Sequence, residues 1–169
     1  ARAGARVRES GRRLSIASAD AMRVLGARLA GALRAAQLTE PFVLGLSGDL
    51  GAGKTTLVGG LLAALGHDGP ARSPTYTLIE PYRLAGRDLY HCDLYRLRDP
   101  AELDDLGLRD LLVGPSVLLV EWPERAGGRL GEPDLGLQIE YSSEGRSLSL
   151  APISDAGRRL VAGLGLDPA

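Results

Sequence analysis

Apolar positions along this chain recur with two different periods. Phe42-Val43-Leu44-Gly45-Leu46 and Val117-Leu118-Leu119-Val120 are near-continuous apolar runs, the mark of short strands covered on both faces. Between Ala21 and Leu33, by contrast, Met22, Leu25, Leu29 and Leu33 repeat at helical spacing behind a capping Ser18 or Asp20. Thr56 to Leu65 reads as a second helix, with Gly66 placed to cap its C-terminus.

Shorter segments complete the outline. Leu14-Ser15-Ile16 reads as an edge strand. Thr75 to Ile79 and Asp88 to Tyr95 form a hairpin about Ala85-Gly86, and Leu135 to Tyr141 with Arg146 to Leu150 form a second about Glu144-Gly145. Asp99-Pro100 opens a helical stretch carrying Leu103, Leu106, Leu108, Leu111 and Leu112, and Ser154 to Leu164 is a last amphipathic helix. Strands that both alternate with helices and pair as hairpins predict an α/β fold with a mixed sheet.

The 169 residues suit one domain, 14–169, behind an arginine-rich segment, 1–13, that reads as a disordered tail. A net charge of −1 offers no general attraction to nucleic acid or anionic membranes. The one cysteine, Cys92, excludes an internal disulfide and points to a reducing, cytoplasmic setting. No apolar run approaches the roughly 20 residues of a membrane span.

Charge matters more locally. Lys54 is the only lysine; every other basic side chain is arginine. It lies in GDLGAGKTTL, where Gly48, Gly53, Lys54 and Thr55 fit the phosphate-loop pattern G-x-x-x-x-G-K-[ST] between a buried strand and a helix. Glycines at 48, 51 and 53 let consecutive N–H groups face an anion, and the helix N-terminus adds partial positive charge. A compact ammonium on a flexible stem reaches β and γ phosphates in a way that arginine's planar fork does not reproduce. The Thr55 hydroxyl is placed for Mg²⁺.

Glu121, at the end of the second apolar run, reads either as a metal-binding carboxylate at the C-terminal edge of the sheet, where Asp is more usual, or as a solvated charge at a strand end. His91 and Asp93 share one strand face while Cys92 points the other way. Asp93 suits either a water held near the metal or a structural hydrogen bond to a turn; His91 alone reads as structural. Ser73-Pro74-Thr75-Tyr76-Thr77 reads either as a nucleotide-sensing switch that offers a threonine hydroxyl or as a plain turn. A guanine-specific GTPase is excluded, because its Asn-Lys-x-Asp reader needs a second lysine. A small-molecule kinase using Arg83, Arg87, Arg96 or Arg98 stays open, as does a non-catalytic, ATP-dependent adaptor.

GDLGAGKTTL, SPTYTLIEPY, HCDLYRL and LLVEWPER, in that order, closely resemble the TsaE (YjeE-type) ATPases of bacterial tRNA threonylcarbamoyladenosine modification. The resemblance runs from about Ser18 to Leu150. It implies a three-layer phosphate-loop fold with a mixed, mainly parallel sheet and a C-terminal hairpin. It implies ATP and Mg²⁺ as cofactors, with Asp49, Gly51, Ala52, Gly53, Lys54, Thr55 and Thr56 around the phosphates and Thr55 and Glu121 on the metal. Lys54, Asp93, Glu121 and Thr75 would carry hydrolysis; Arg125 and Arg146 would lie near the nucleotide, Trp122 beside the active region, and Ala19 and Asp20 near adenine. The implied partner is a TsaB–TsaD heterodimer, with tRNA met only through that complex and hydrolysis weak in the isolated chain.

Overall fold

The computed structural model describes residues 12–71 and 78–166. Its centre is a seven-stranded sheet of β1 (Arg12–Ile16), β2 (Phe42–Gly48), β3 (Ile79–Leu84), β4 (Arg87–Asp93), β5 (Val117–Glu121), β6 (Leu135–Ser142) and β7 (Gly145–Pro152), in the spatial order β1-β7-β6-β2-β5-β4-β3. The four middle strands, β6, β2, β5 and β4, run parallel. Each flank closes with antiparallel pairing, β7 and β1 on one side and β3 on the other. β1 begins at Arg12, so the last two residues of the segment read as tail belong to the sheet. Residues 1–11 lie outside the described residues.

The continuous apolar runs occupy the centre because both faces of the parallel strands are covered. Along β5, Val117 and Leu119 face a core shared with α1 (Ala19–Ala35), α2 (Lys54–Ala64) and α5 (Asp155–Gly163). Leu118 and Val120 face a second core with Cys92, Leu103 and Leu108. Helix α1 is capped by Ser18, whose Oγ accepts from the Ala21 N–H at 3.1 Å. It buries Met22, Leu25, Leu29 and Leu33, the four residues at helical spacing. Burial of one such side chain contributes about 1.5–3 kcal/mol.

Helices α1 and α2 meet backbone to backbone through two glycines. A Cβ on Gly26 would come within 2.2 Å of the Leu57 carbonyl oxygen, and one on Gly60 within 2.3 Å of that of Arg23. Their contact sets the position of the loop from which α2 starts.

The helix expected after Asp99-Pro100 is two single turns, α3 (Glu102–Asp105) and α4 (Leu108–Leu111). Gly107 lies between them at φ +65°, a left-handed break that leucine spacing alone does not reveal. The first hairpin has its turn at Ala85-Gly86, with β3 starting at Ile79. The part of that strand read at Thr75–Thr77 lies outside the described residues.

Candidate functional site

Three strand ends bring the site together. β2 ends at Gly48, β4 at Asp93 and β5 at Glu121, and Asp93 pairs in register with Glu121, which pairs with Leu46. These are C-terminal ends of parallel neighbours, the edge at which open α/β sheets hold ligands. From β2 the chain passes through Asp49 to Gly53 into α2. Gly48, Gly51 and Gly53 have φ of +150°, +79° and +116°. Close approach also requires them: a Cβ on Gly48 would lie 2.5 Å from the Ile139 carbonyl oxygen, and one on Gly51 3.0 Å from the Tyr141 hydroxyl.

Lys54, the first residue of α2, is buried with its Nζ turned back into the loop. The ammonium donates to the carbonyl oxygen of Gly48 and, at 2.9 Å, to that of Asp49. It also lies 4.3 Å from the centroid of the Trp122 ring. Burial pushes the Lys54 amine below its ordinary range, while Glu121, Asp93, Glu124 and Asp49 pull it back up. The result is a desolvated cation whose partners are carbonyl dipoles and an indole face, without a direct carboxylate contact among the described residues. A phosphate oxygen is a stronger partner than any of these.

Thr55 Oγ1 donates to Glu121, 3.1 Å from Oε1 and 3.2 Å from Oε2. Glu121 is only 2% exposed. Its Oε2 is also 2.6 Å from Nε2 of His91, a residue with no solvent exposure. A buried carboxylate beside a hydroxyl supplies two hard oxygen donors, the donor type that suits Mg²⁺. Among the described residues no group of three or more His, Cys, Asp or Glu forms a metal site.

Behind the loop stands the β6–β7 hairpin. Arg146 donates through Nε to the Ala52 carbonyl at 3.1 Å and through Nη2 to that of Gly51 at 3.3 Å. Its guanidinium lies 4.1 Å from the centroid of the Tyr141 ring, and the Tyr141 hydroxyl donates to the Leu50 carbonyl at 2.9 Å. A crevice of about 180 Å³ opens between this hairpin and the start of α1, lined among others by Ser18, Ala19, Met22, Gly53, Thr56 and Arg146.

The family model described as "Threonylcarbamoyl adenosine biosynthesis protein TsaE" matches residues 16–148. The chain belongs to the TsaE family. The tRNA threonylcarbamoyladenosine biosynthesis protein TsaE of Haemophilus influenzae is 47% identical over 116 residues, 69% of this chain and 73% of that one. The protein of the same description from Nostoc is 39% identical over 137 residues, 78% and 83% of the two chains. The crystal structure of Bacillus subtilis YdiB superposes with a TM-score of 0.66 at 28% identity, covering 90% of this chain and 91% of that one.

Of the residues singled out by TsaE resemblance, Asp49 to Thr56 form one continuous cradle, and Thr55, Glu121 and Asp93 gather at its edge. Asp93 Oδ1 accepts from the Tyr95 N–H at 3.0 Å, which holds the carboxylate at the strand end. Arg146 sits at the crevice, as does Ala19, whereas Asp20 pairs with Arg23 at 2.6 Å on the exposed side of α1. Arg125 meets the same Trp122 ring as Lys54, with its guanidinium 5.3 Å from that centroid and 5.2 Å from that of Tyr95. Thr75 lies outside the described residues. Tyr141 had no signal in the sequence beyond its place in a hairpin, and its role emerges only when β6 is set against the loop.

Two of the arginines that kept a small-molecule kinase open are engaged elsewhere. Arg83 pairs with Asp88 at 2.8 Å, and Arg87, at the opposite end of β4 from Asp93, donates to the Leu33 carbonyl at 2.9 Å. Among the described residues no helix is long and apolar enough to cross a membrane.

Proposed function

We propose that this chain is the ATP-binding, ATP-hydrolysing subunit of tRNA threonylcarbamoyladenosine biosynthesis, acting in the cytoplasm on a TsaB–TsaD complex and leaving the transfer to that complex. The observation that carries the reading is the meeting of Lys54, Thr55 and Glu121 at one strand edge, with Thr55 Oγ1 3.1 Å from the buried Glu121 carboxylate. Membership of the TsaE family supports the pathway. The names of the Haemophilus and Nostoc relatives support its connection to tRNA.

In this reading the N–H groups of the glycine loop and the α2 N-terminus bind the β and γ phosphates. Thr55 and Glu121 would hold Mg²⁺, which would supply positive charge against the developing charge of phosphoryl transfer. Lys54 moves from the Gly48 and Asp49 carbonyls to the phosphates, trading dipoles for an anion. Asp93, beside Glu121 in the ladder, orients the attacking water toward the γ phosphate. The base enters the crevice between Ser18 and Arg146. Thr75, in the switch-like segment, senses the γ phosphate.

The reading is tested by phosphate release from ATP and Mg²⁺, by the chain alone and with the TsaB–TsaD pair, with Lys54→Ala as control. Stimulation by the pair that disappears in the variant is the expected result. Transfer of the γ phosphate to a small acceptor would establish a kinase instead. Modification that persists in an Asp93→Ala chain unable to hydrolyse would establish an adaptor.

A further inference from the structure

We infer that His91 is a positioning residue for Glu121, setting the carboxylate so that its metal-binding edge faces Thr55; this rests on the Mg²⁺–ATP reading above. His91 lies on β4 opposite Leu119 of β5, two residues before Glu121 and on the same sheet face. Its ring has no solvent exposure, and Nε2 is 2.6 Å from Glu121 Oε2. Toward an ionised carboxylate, which only accepts, the donating role falls to Nε2.

The other ring nitrogen decides between a role in packing and a role in positioning. Among the described residues Nδ1 has no hydrogen-bond partner. A histidine buried for structural reasons ordinarily satisfies both nitrogens. Among the described protein groups, Glu121 is the hydrogen-bond partner of this ring. The hydrogen bond ties down Oε2, while Thr55 Oγ1 stands across the carboxylate, 3.1 Å from Oε1 and 3.2 Å from Oε2, on the side where α2 begins. A carboxylate held from behind by an imidazole presents a fixed edge to a cation, and partners of this kind govern metal affinity by about tenfold to a hundredfold.

The test uses the full chain, Mg²⁺ and a non-hydrolysable ATP analogue, with binding followed by titration calorimetry. His91→Leu fills the ring's space without a donor, while His91→Gln restores an amide N–H. The expected result is that His91→Leu raises the Mg²⁺ needed for half-saturation about tenfold to a hundredfold. It leaves metal-free binding of the analogue unchanged, and His91→Gln recovers most of the loss. An unchanged Mg²⁺ requirement in His91→Leu, together with a raised one in Glu121→Gln, would overturn the role of His91 alone. Wild-type binding indifferent to both Mg²⁺ and Glu121→Gln would overturn the reading of the site and this role with it.

Should His91→Leu fail to fold, nitrogen-15 NMR of the wild type decides, since the chain has only two histidines. A proton on Nε2 protected from exchange is expected. A ring protonated at Nδ1 alone would contradict the assignment.

Discussion

The only lysine and the only tryptophan of the chain touch: Lys54 Nζ lies 4.3 Å from the centroid of the Trp122 ring. Trp122 reaches this position by turning at φ +59° directly after Glu121, a left-handed conformation that a bulky residue adopts at a cost of about 1–3 kcal/mol. The residue that would hold the metal and the residue that covers the lysine are thus neighbours in sequence.

Nucleotide should break this contact. Adding ATP and Mg²⁺ is expected to change the Trp122 emission, because the ammonium leaves the ring for the phosphates. Lys54→Ala should show the altered emission from the start and no further response. A fluorimetric titration checks both, and an unresponsive tryptophan in a chain that binds nucleotide would show that Lys54 stays where it is.

Lys54→Met should abolish nucleotide binding while leaving the fold as stable as before, or more so. Burial depresses the Lys54 amine, so the folded chain binds its proton less readily than the unfolded chain, and the charged residue is a cost to folding. Thermal denaturation alongside binding separates the effects. A marked loss of stability would mean that the contacts with Gly48, Asp49 and Trp122 outweigh desolvation. Lys54→Arg is expected to remain unable to bind.

Arg146→Ala and Tyr141→Phe should weaken nucleotide binding by about tenfold each, near 1.4 kcal/mol. Both residues act on the loop's carbonyls, at Gly51, Ala52 and Leu50. The double variant should lose less than the sum, because the two side chains hold adjoining carbonyls of one loop, at Leu50, Gly51 and Ala52. Calorimetry on the four proteins measures the coupling.

How much of this was legible in the sequence depends on what the residue's role required. Lys54, Thr55 and Glu121 could be read because the pattern of a phosphate loop and the end of a buried strand are local features. Alternation correctly separated His91 from Cys92, since β4 places the first beside Glu121 and the second in the opposite core. The function of His91 was not legible, because it depends on register: only when β4 is laid against β5 does its ring reach Glu121. The α3–α4 segment misled for the opposite reason. Its leucines have helical spacing, but Gly107 breaks the path between them.

Glycine packing makes a sharp stability prediction. Gly60→Ala should destabilise by several kcal/mol, about the range for a forced separation of packed elements, since its Cβ would meet the Arg23 backbone at 2.3 Å. Gly31→Ala, in the same pair of helices but with nothing within 4 Å, should stabilise by about 0.5–1 kcal/mol. Urea denaturation of the two variants checks the contrast.

Cys92 gives the chain a pH signature. Burial, with Asp93 and Glu121 adding to it, pushes its thiol from 9.0 up to about 12. The folded chain therefore keeps a proton that the unfolded chain has released, and stability falls as pH rises through that window. The slope is about 1.4 kcal/mol per pH unit. Cys92→Ala should lose this slope whatever its offset in stability. Urea midpoints for both proteins across the alkaline range test it, and parallel curves would contradict it.

The most direct measurement is a crystal structure of the chain with Mg²⁺ and a non-hydrolysable ATP analogue. The account predicts phosphates on the N–H groups from Asp49 to Thr56, the metal between Thr55 and Glu121, and the base in the crevice beside Arg146. It also predicts Lys54 Nζ on the phosphates, away from Trp122. A nucleotide bound elsewhere, or a Lys54 still on the Gly48 and Asp49 carbonyls with the analogue in place, would contradict it.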